Sequence, residues 1–131
     1  MIGLDTNVLV RYITQDDPDQ TKIASSLIRS RTADSPGYVS FVTIAEPYWV
    51  LRRSFKTPRV GILVAFEALL HSEELVIQEG RLVEEALMRA ILGNADFSDC
   101  LIECCSRAAG CTAVYTFDRK AAKSAGMQLL G

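Results

Sequence analysis

Five acidic side chains fall where a fold could turn them toward one another: Asp5, Glu46, Asp96, Asp99 and Asp118. Carboxylates gathered in one cleft repel unless cations neutralise them or one of them keeps its proton. Ligands that are all oxygen suit hard divalent cations such as Mg²⁺ or Mn²⁺. Two such ions about 3.5–4 Å apart can activate a water and stabilise the leaving oxygen of a phosphodiester. The chemistry to expect is metal-assisted hydrolysis, with no covalently modified side chain.

The elements that must position these acids follow from the hydrophobic pattern. Ile2-Gly3-Leu4 is a short apolar run ended by Asp5, and a helical stretch follows from Thr6 to Ile13. Asp17-Pro18-Asp19 opens a second helix through about Arg31, with Ile23, Ala24, Leu27 and Ile28 on one face. After the turn at Ser35-Pro36-Gly37, Tyr38-Val39-Ser40 is the next strand. Helices then cover about Thr43 to Phe55 and Arg59 to Leu70, separated at Thr57-Pro58, and Leu75-Val76-Ile77 is a third strand. Helices over about Glu79 to Leu92 and Asp96 to Ala109 lead to a fourth strand, Thr112 to Tyr115. A short helix from Arg119 to Ser124 precedes a fifth strand at Met127-Gln128-Leu129.

Short buried strands separated by helices predict an α/β fold, a three-layer α/β/α sandwich around a parallel sheet of four or five strands. Such sheets carry their sites beyond the C-terminal ends of the strands. Asp5 and Asp118, each at the end of a strand, are therefore expected at the same edge. Asp96 and Asp99, three residues apart, share a helix face, and Glu103 extends that stripe by a turn. The same acids also stand where carboxylates cap helices, a role worth roughly 1 kcal/mol each. Thr43-x-x-Glu46 matches a capping box. Capping accounts for each acid taken alone, but not for their convergence on one end of a sheet.

Composition narrows the classes. With 131 residues, 49 % of them apolar and 23 % charged, one folded domain spanning 1–131 is expected. A net charge of -2 excludes a polycationic binder, so an enzyme of nucleic acids would rely on metal or on local basic patches. No basic-then-apolar leader is visible, and no apolar run approaches the roughly 20 residues that span a bilayer. A cytoplasmic protein without membrane attachment is the expectation. Cys100, Cys104, Cys105 and Cys111 lack paired C-x-x-C spacing and read as reduced core thiols.

Among the cations, Arg11, Arg119 and Lys120 lie nearest the acids in the chain and are expected to contact substrate phosphates. Arg52, Arg53, Lys56 and Arg59 form a second basic cluster, equally suited to a solvated helix end. His71 is the only histidine, so paired-histidine ribonuclease chemistry has no partner here, and a helix-end role is expected for it. Tyr48 and Trp49 read as core or interface, and Val60, Leu63, Val64 and Phe66 as an apolar stripe serving core or partner.

Four stretches carry a family resemblance. Ile2 to Arg11, Phe41 to Glu46 with Trp49-Val50-Leu51, Ala95 to Ile102, and Thr116 to Lys120 resemble the successive motifs of PIN domains, in order over nearly the whole chain. The resemblance implies metal-binding, catalytic acids at Asp5, Glu46, Asp99 and Asp118, with Asp96 as an accessory acid. It implies that Thr116 is the small hydroxyl residue beside the last acid and that Asn7 holds the first one in place. Among PIN domains, the compact size is similar to VapC-type toxins of bacterial toxin–antitoxin pairs. That similarity implies Mg²⁺- or Mn²⁺-dependent RNA cleavage, a homodimer, and inhibition by a small antitoxin protein.

One residue departs from the pattern: Pro47 follows Glu46 where the family carries a helix-friendly aliphatic residue. A first-turn proline is tolerable there, yet it encourages the rival expectation of a non-catalytic module that binds protein or RNA. A haloacid-dehalogenase-like phosphoryl transfer would need a second aspartate two residues after Asp5, where Asn7 stands.

Overall fold

In the computed structural model, which describes residues 1–131, every paired strand runs parallel to its neighbour. Parallel neighbours cannot be joined by a tight turn, so each connection carries helices. The chain forms two compact units, Met1–Gly80 and Arg81–Gly131.

The first unit holds β1 (Ile2–Gly3), β2 (Gly37–Val39) and β3 (Leu75–Ile77), in the order β1-β2-β3. Helices α1 (Thr6–Thr14) and α2 (Pro18–Arg29) join the first pair, and α3 (Phe41–Arg53) and α4 (Arg59–Leu70) join the second. Gly37 is needed where these strands meet: a Cβ there would stand 2.9 Å from Leu4 Cδ1 and 3.1 Å from Leu75 Cδ2. Leu9, Val39, Ile44, Tyr48, Leu51, Ile62 and Phe66 are wholly buried and form the core. The apolar stripe on α4 divides, with Leu63 and Phe66 inside and Val60 and Val64 exposed.

Local chemistry sets the helix starts. Asp17 accepts the Gln20 backbone N–H ahead of Pro18, which is the expected opening of α2. Helix α3 starts two residues earlier than the hydrophobic pattern suggests. Ser40 is its N-cap, accepting the Thr43 N–H at 3.3 Å and sharing a hydrogen bond with the Thr43 hydroxyl at 2.9 Å. The Thr43–Glu46 capping box is therefore absent. Glu46 lies in the second turn and Pro47 inside the helix, not in its first turn. Proline removes the N–H that would bond the Thr43 carbonyl, yet the helix continues to Arg53 because Ile44, Tyr48 and Leu51 bury one side of it.

The second unit runs through α5 (Gly80–Leu92, starting at the unit boundary), α6 (Phe97–Ala108), β4 (Tyr115–Thr116), α7 (Arg119–Ser124) and β5 (Gln128–Leu129). Tyr115 pairs with Gln128 and Thr116 with Leu129. Val83, Ala86, Ala90, Phe97, Cys100 and Ala125 are buried without exposure. None of the four cysteines forms a disulfide: Cys100 and Cys104 are buried as expected, but Cys105 is half-buried and Cys111 exposed. Cys111 follows Gly110 beyond the end of α6 and so leaves the buried helix face.

The α/β class with parallel strands is the one expected from sequence. The hydrogen bonding differs, since five strands are joined as a set of three and a set of two and not as one sheet. Strands of two or three residues show in sequence as extended, but they hold too little pattern to name the edge they pair with. No helix is long and apolar enough to cross a membrane.

Candidate metal centre

Three of the five acids are gathered in the second unit. Asp96 is the N-cap of α6 and makes no side-chain cap bond, while Asp99 lies in the first turn. Asp118 is the N-cap of α7, the position where β4 hands over to that helix. Burial, then the charges of Asp96 and Asp118, push the Asp99 carboxyl above the usual aspartate range, with Lys120 acting in the opposite sense. The three carboxylates thus share one electrostatic environment, as the i, i+3 spacing of Asp96 and Asp99 predicts.

Asp118 is held by three hydrogen bonds. Its Oδ1 accepts the backbone N–H of Lys120 at 2.8 Å and of Ala121 at 3.1 Å, and its own N–H donates to Thr116 Oγ1 at 3.0 Å. Thr116 thereby orients the acid beside it. Capping employs one carboxylate oxygen of Asp118, so the structural and the ligand roles coexist in one side chain. Lys120 donates to Asp96 Oδ1 at 3.4 Å, and Arg119 next to it is exposed.

In the first unit, Asp5 follows β1 as the N-cap of α1; it is exposed and makes no side-chain cap bond. Asn7 is exposed in the first turn of that helix, and Glu46 is exposed on α3, which packs against α1. Arg11 is tied down on the same unit: its Nε donates to Gln20 at 2.7 Å and its Nη1 to Asp16 at 3.1 Å. Its expected contact with phosphate would compete with these bonds. His71 caps the end of α4, with Nδ1 2.9 Å from the Glu67 carbonyl oxygen, as its place in the sequence suggests. Tyr48 is core, whereas Trp49 is partly exposed with Arg53 stacked 5.1 Å from its ring centroid.

Glu103 leaves the acidic stripe. Arg89 donates to it at 2.6 Å and Arg107 at 3.2 Å, and these bonds, led by that of Arg107, hold its carboxyl below the ordinary glutamate range despite partial burial. Arg89 was invisible in sequence, because its partner lies on the next helix and no local spacing links them.

The donor set is carboxylate oxygen throughout, which fits Mg²⁺ or Mn²⁺ and not a thiolate-seeking metal. No three His, Cys, Asp or Glu side chains stand close enough to ligate an ion by themselves. Mg²⁺ does not need such a cage, since it is held by one or two carboxylates and keeps several waters. Asp96, Asp99 and Asp118 are the candidates for such a site: burial first, and then the charges of Asp96 and Asp118, disfavour the charged form of Asp99. The sequence matches the PIN domain family over residues 2–126. No curated protein matches it.

Proposed function

The chain belongs to the PIN-domain family of nucleases, and on that premise we propose that it is a Mg²⁺- or Mn²⁺-dependent endoribonuclease, the toxin of a toxin–antitoxin pair. The observation that carries the proposal is the family match over residues 2–126, and the grouping of Asp96, Asp99 and Asp118 in the second unit supports it. The proposed domain is the whole chain, supported by a family match that runs through both compact units without a break.

The proposed metal-binding acids, carried over from the family's motifs, are Asp5, Glu46, Asp99 and Asp118, with Asp96 as the accessory acid. When bound, the metal supplies an activated water and charge neutralisation at the phosphodiester. The residues of the chain do the rest. The α7 cap bonds one oxygen of Asp118, which narrows the orientations that carboxylate has to lose on binding. Thr116 holds the Asp118 backbone, and Lys120 offsets part of the repulsion that Asp96 and Asp99 exert on each other. Arg119 and Lys120, exposed beside Asp118, are the proposed phosphate contacts. Arg11 has that role only after exchanging Asp16 for substrate. Asn7 is the proposed support of Asp5. The proposed partners are an RNA substrate, a small antitoxin and a second copy of the chain, and the proposed location is the cytoplasm.

A second reading, a non-catalytic module that binds protein or RNA, draws on one observation: Asp118 is already occupied as a helix cap. Cleavage of RNA with Mg²⁺ or Mn²⁺, and its loss on adding EDTA, decides between the two. Asp5→Asn is expected to remove activity while leaving the circular dichroism spectrum unchanged. Full activity of Asp5→Asn in a clean preparation would overturn the nuclease proposal.

A further inference from the structure

Arg89 joins three elements of the second unit. From α5, its Nη1 donates to Glu103 on α6 at 2.6 Å and reaches Cys104 Sγ at 3.5 Å. Its Nη2 donates to the carbonyl of Ala125 at 3.0 Å. Ala125 is the C-cap of α7, and Asp118 is the N-cap of the same short helix. Glu103 stands one helical turn beyond Asp99 on α6. One guanidinium therefore holds both the helix that begins with Asp96 and Asp99 and the helix that begins with Asp118.

The geometry suits a clasp. The planar guanidinium presents several donors in fixed directions, so it can fix two acceptors at a set angle as a lysine cannot. Both acceptors are otherwise costly to leave bare: Ala125 is wholly buried, and the Glu103 side chain is only 16 % exposed. Arg107 adds bonds to Glu103 and to Glu85 on α5, but none to α7. Two side chains therefore reach between α7 and its neighbours: Lys120, whose exposed ammonium meets Asp96 at the start of α7, and Arg89, which holds the buried carbonyl at its end. Helix α7 has six residues and could not hold its orientation alone.

We infer that Arg89 is a positioning residue for the acidic centre, setting Asp118 relative to Asp96 and Asp99 through its simultaneous bonds to Glu103 and the Ala125 carbonyl. Arg89 touches neither substrate nor metal in this role. The inference rests on the nuclease reading only for its consequence, not for its geometry.

Two measurements on the full chain test it: hydrogen exchange in the metal-free protein, and Mn²⁺ affinity by calorimetry. In Arg89→Met, amides of α7 are expected to lose protection while those of α3 and α4 keep theirs. Mn²⁺ binding is expected to weaken on the order of tenfold, the usual effect of losing a support behind a metal ligand. Arg89→Lys, which retains a charge for Glu103, is expected to recover only part of this. Val83→Ala, a cavity in the same helix, serves as the control: it lowers stability but leaves Mn²⁺ affinity unchanged.

Arg89→Met with wild-type α7 protection and wild-type Mn²⁺ affinity overturns the inference, as does an equal loss of affinity in Val83→Ala. Should Arg89→Met not fold, Arg89→Lys decides by the same two readouts. A wild-type protein that binds no Mn²⁺ overturns the nuclease reading and the positioning role together. Retained α7 protection in Arg89→Met alongside weakened Mn²⁺ binding refutes only the clasp to α7.

Discussion

Lys120 Nζ stands 3.4 Å from Asp96 Oδ1, so a cation from the first turn of α7 is set against the N-cap of α6. The lysine side chain is 56 % exposed, and a pair so open to solvent adds little to stability, at most about 1 kcal/mol. Its importance is electrostatic. Burial and the neighbouring carboxylates disfavour charge on Asp99, and Lys120 offsets only part of that. Charge on Asp99 is therefore disfavoured in the folded chain, and under the proposed function a bound divalent cation would relieve it.

Asp99→Asn is accordingly expected to raise the Tm of the metal-free protein slightly, by no more than about 2 °C, because solvent screens much of the effect at this half-buried site. The sign follows from linkage. The folded-state value of Asp99 lies above its ordinary value of 3.8, so its contribution is fully favourable below that pH and is lost as pH rises through the folded value. The advantage of Asp99→Asn over wild type should vanish in acid and grow toward neutrality. Saturating Mn²⁺ should reverse the order, because it stabilises only the protein that binds it. Thermal melts across pH, with and without Mn²⁺, check both; a less stable Asp99→Asn at neutral pH in EDTA refutes the repulsion.

Where these acids sit on their helices was largely legible in the sequence. The three-residue spacing of Asp96 and Asp99 survives any error in the helix boundary, because both lie within one turn. Asp118 could be placed because Thr112 to Tyr115 reads as extended and the next residues as helical, although the strand proper is only Tyr115 and Thr116. Glu46 was misplaced by a turn, since Ser40 captures the helix start through a side-chain bond that hydrophobic pattern does not record. The pairing of Arg89 with Glu103, and the division of the strands into two sets, depend on contacts between segments distant in sequence. No local rule encodes them.

Pro47 offers a test of that misplaced turn. Inside α3 it withholds one backbone hydrogen bond, and an interior proline costs roughly 3 kcal/mol against alanine. Its ring is buried, so Pro47→Ala also leaves a small void, which offsets part of the gain. A net increase of about 1–2 kcal/mol is expected in urea unfolding. A loss of stability would show that the ring contributes more by packing than the missing bond removes.

The thiols should separate by reactivity. Cys111 is exposed, whereas Cys100 and Cys104 are buried and burial raises the Cys104 thiol despite the bond from Arg89. Iodoacetamide on the folded protein is expected to label Cys111 first and to reach Cys100 and Cys104 only on unfolding. Peptide mass spectrometry at short labelling times reads this, and early modification of Cys104 contradicts the packing of α6.

Asp118 separates its two roles by chemistry. Asparagine keeps an oxygen that can accept the Lys120 and Ala121 N–H groups; alanine does not. Asp118→Ala is expected to cost about 1 kcal/mol as a lost cap, while Asp118→Asn stays near wild-type stability. Both should lose metal-dependent cleavage, because an amide contributes no negative charge to a divalent ion. If Asp118→Asn cleaves RNA as well as wild type and only Asp118→Ala is impaired, Asp118 acts as a cap alone, and the centre must work through Asp96 and Asp99.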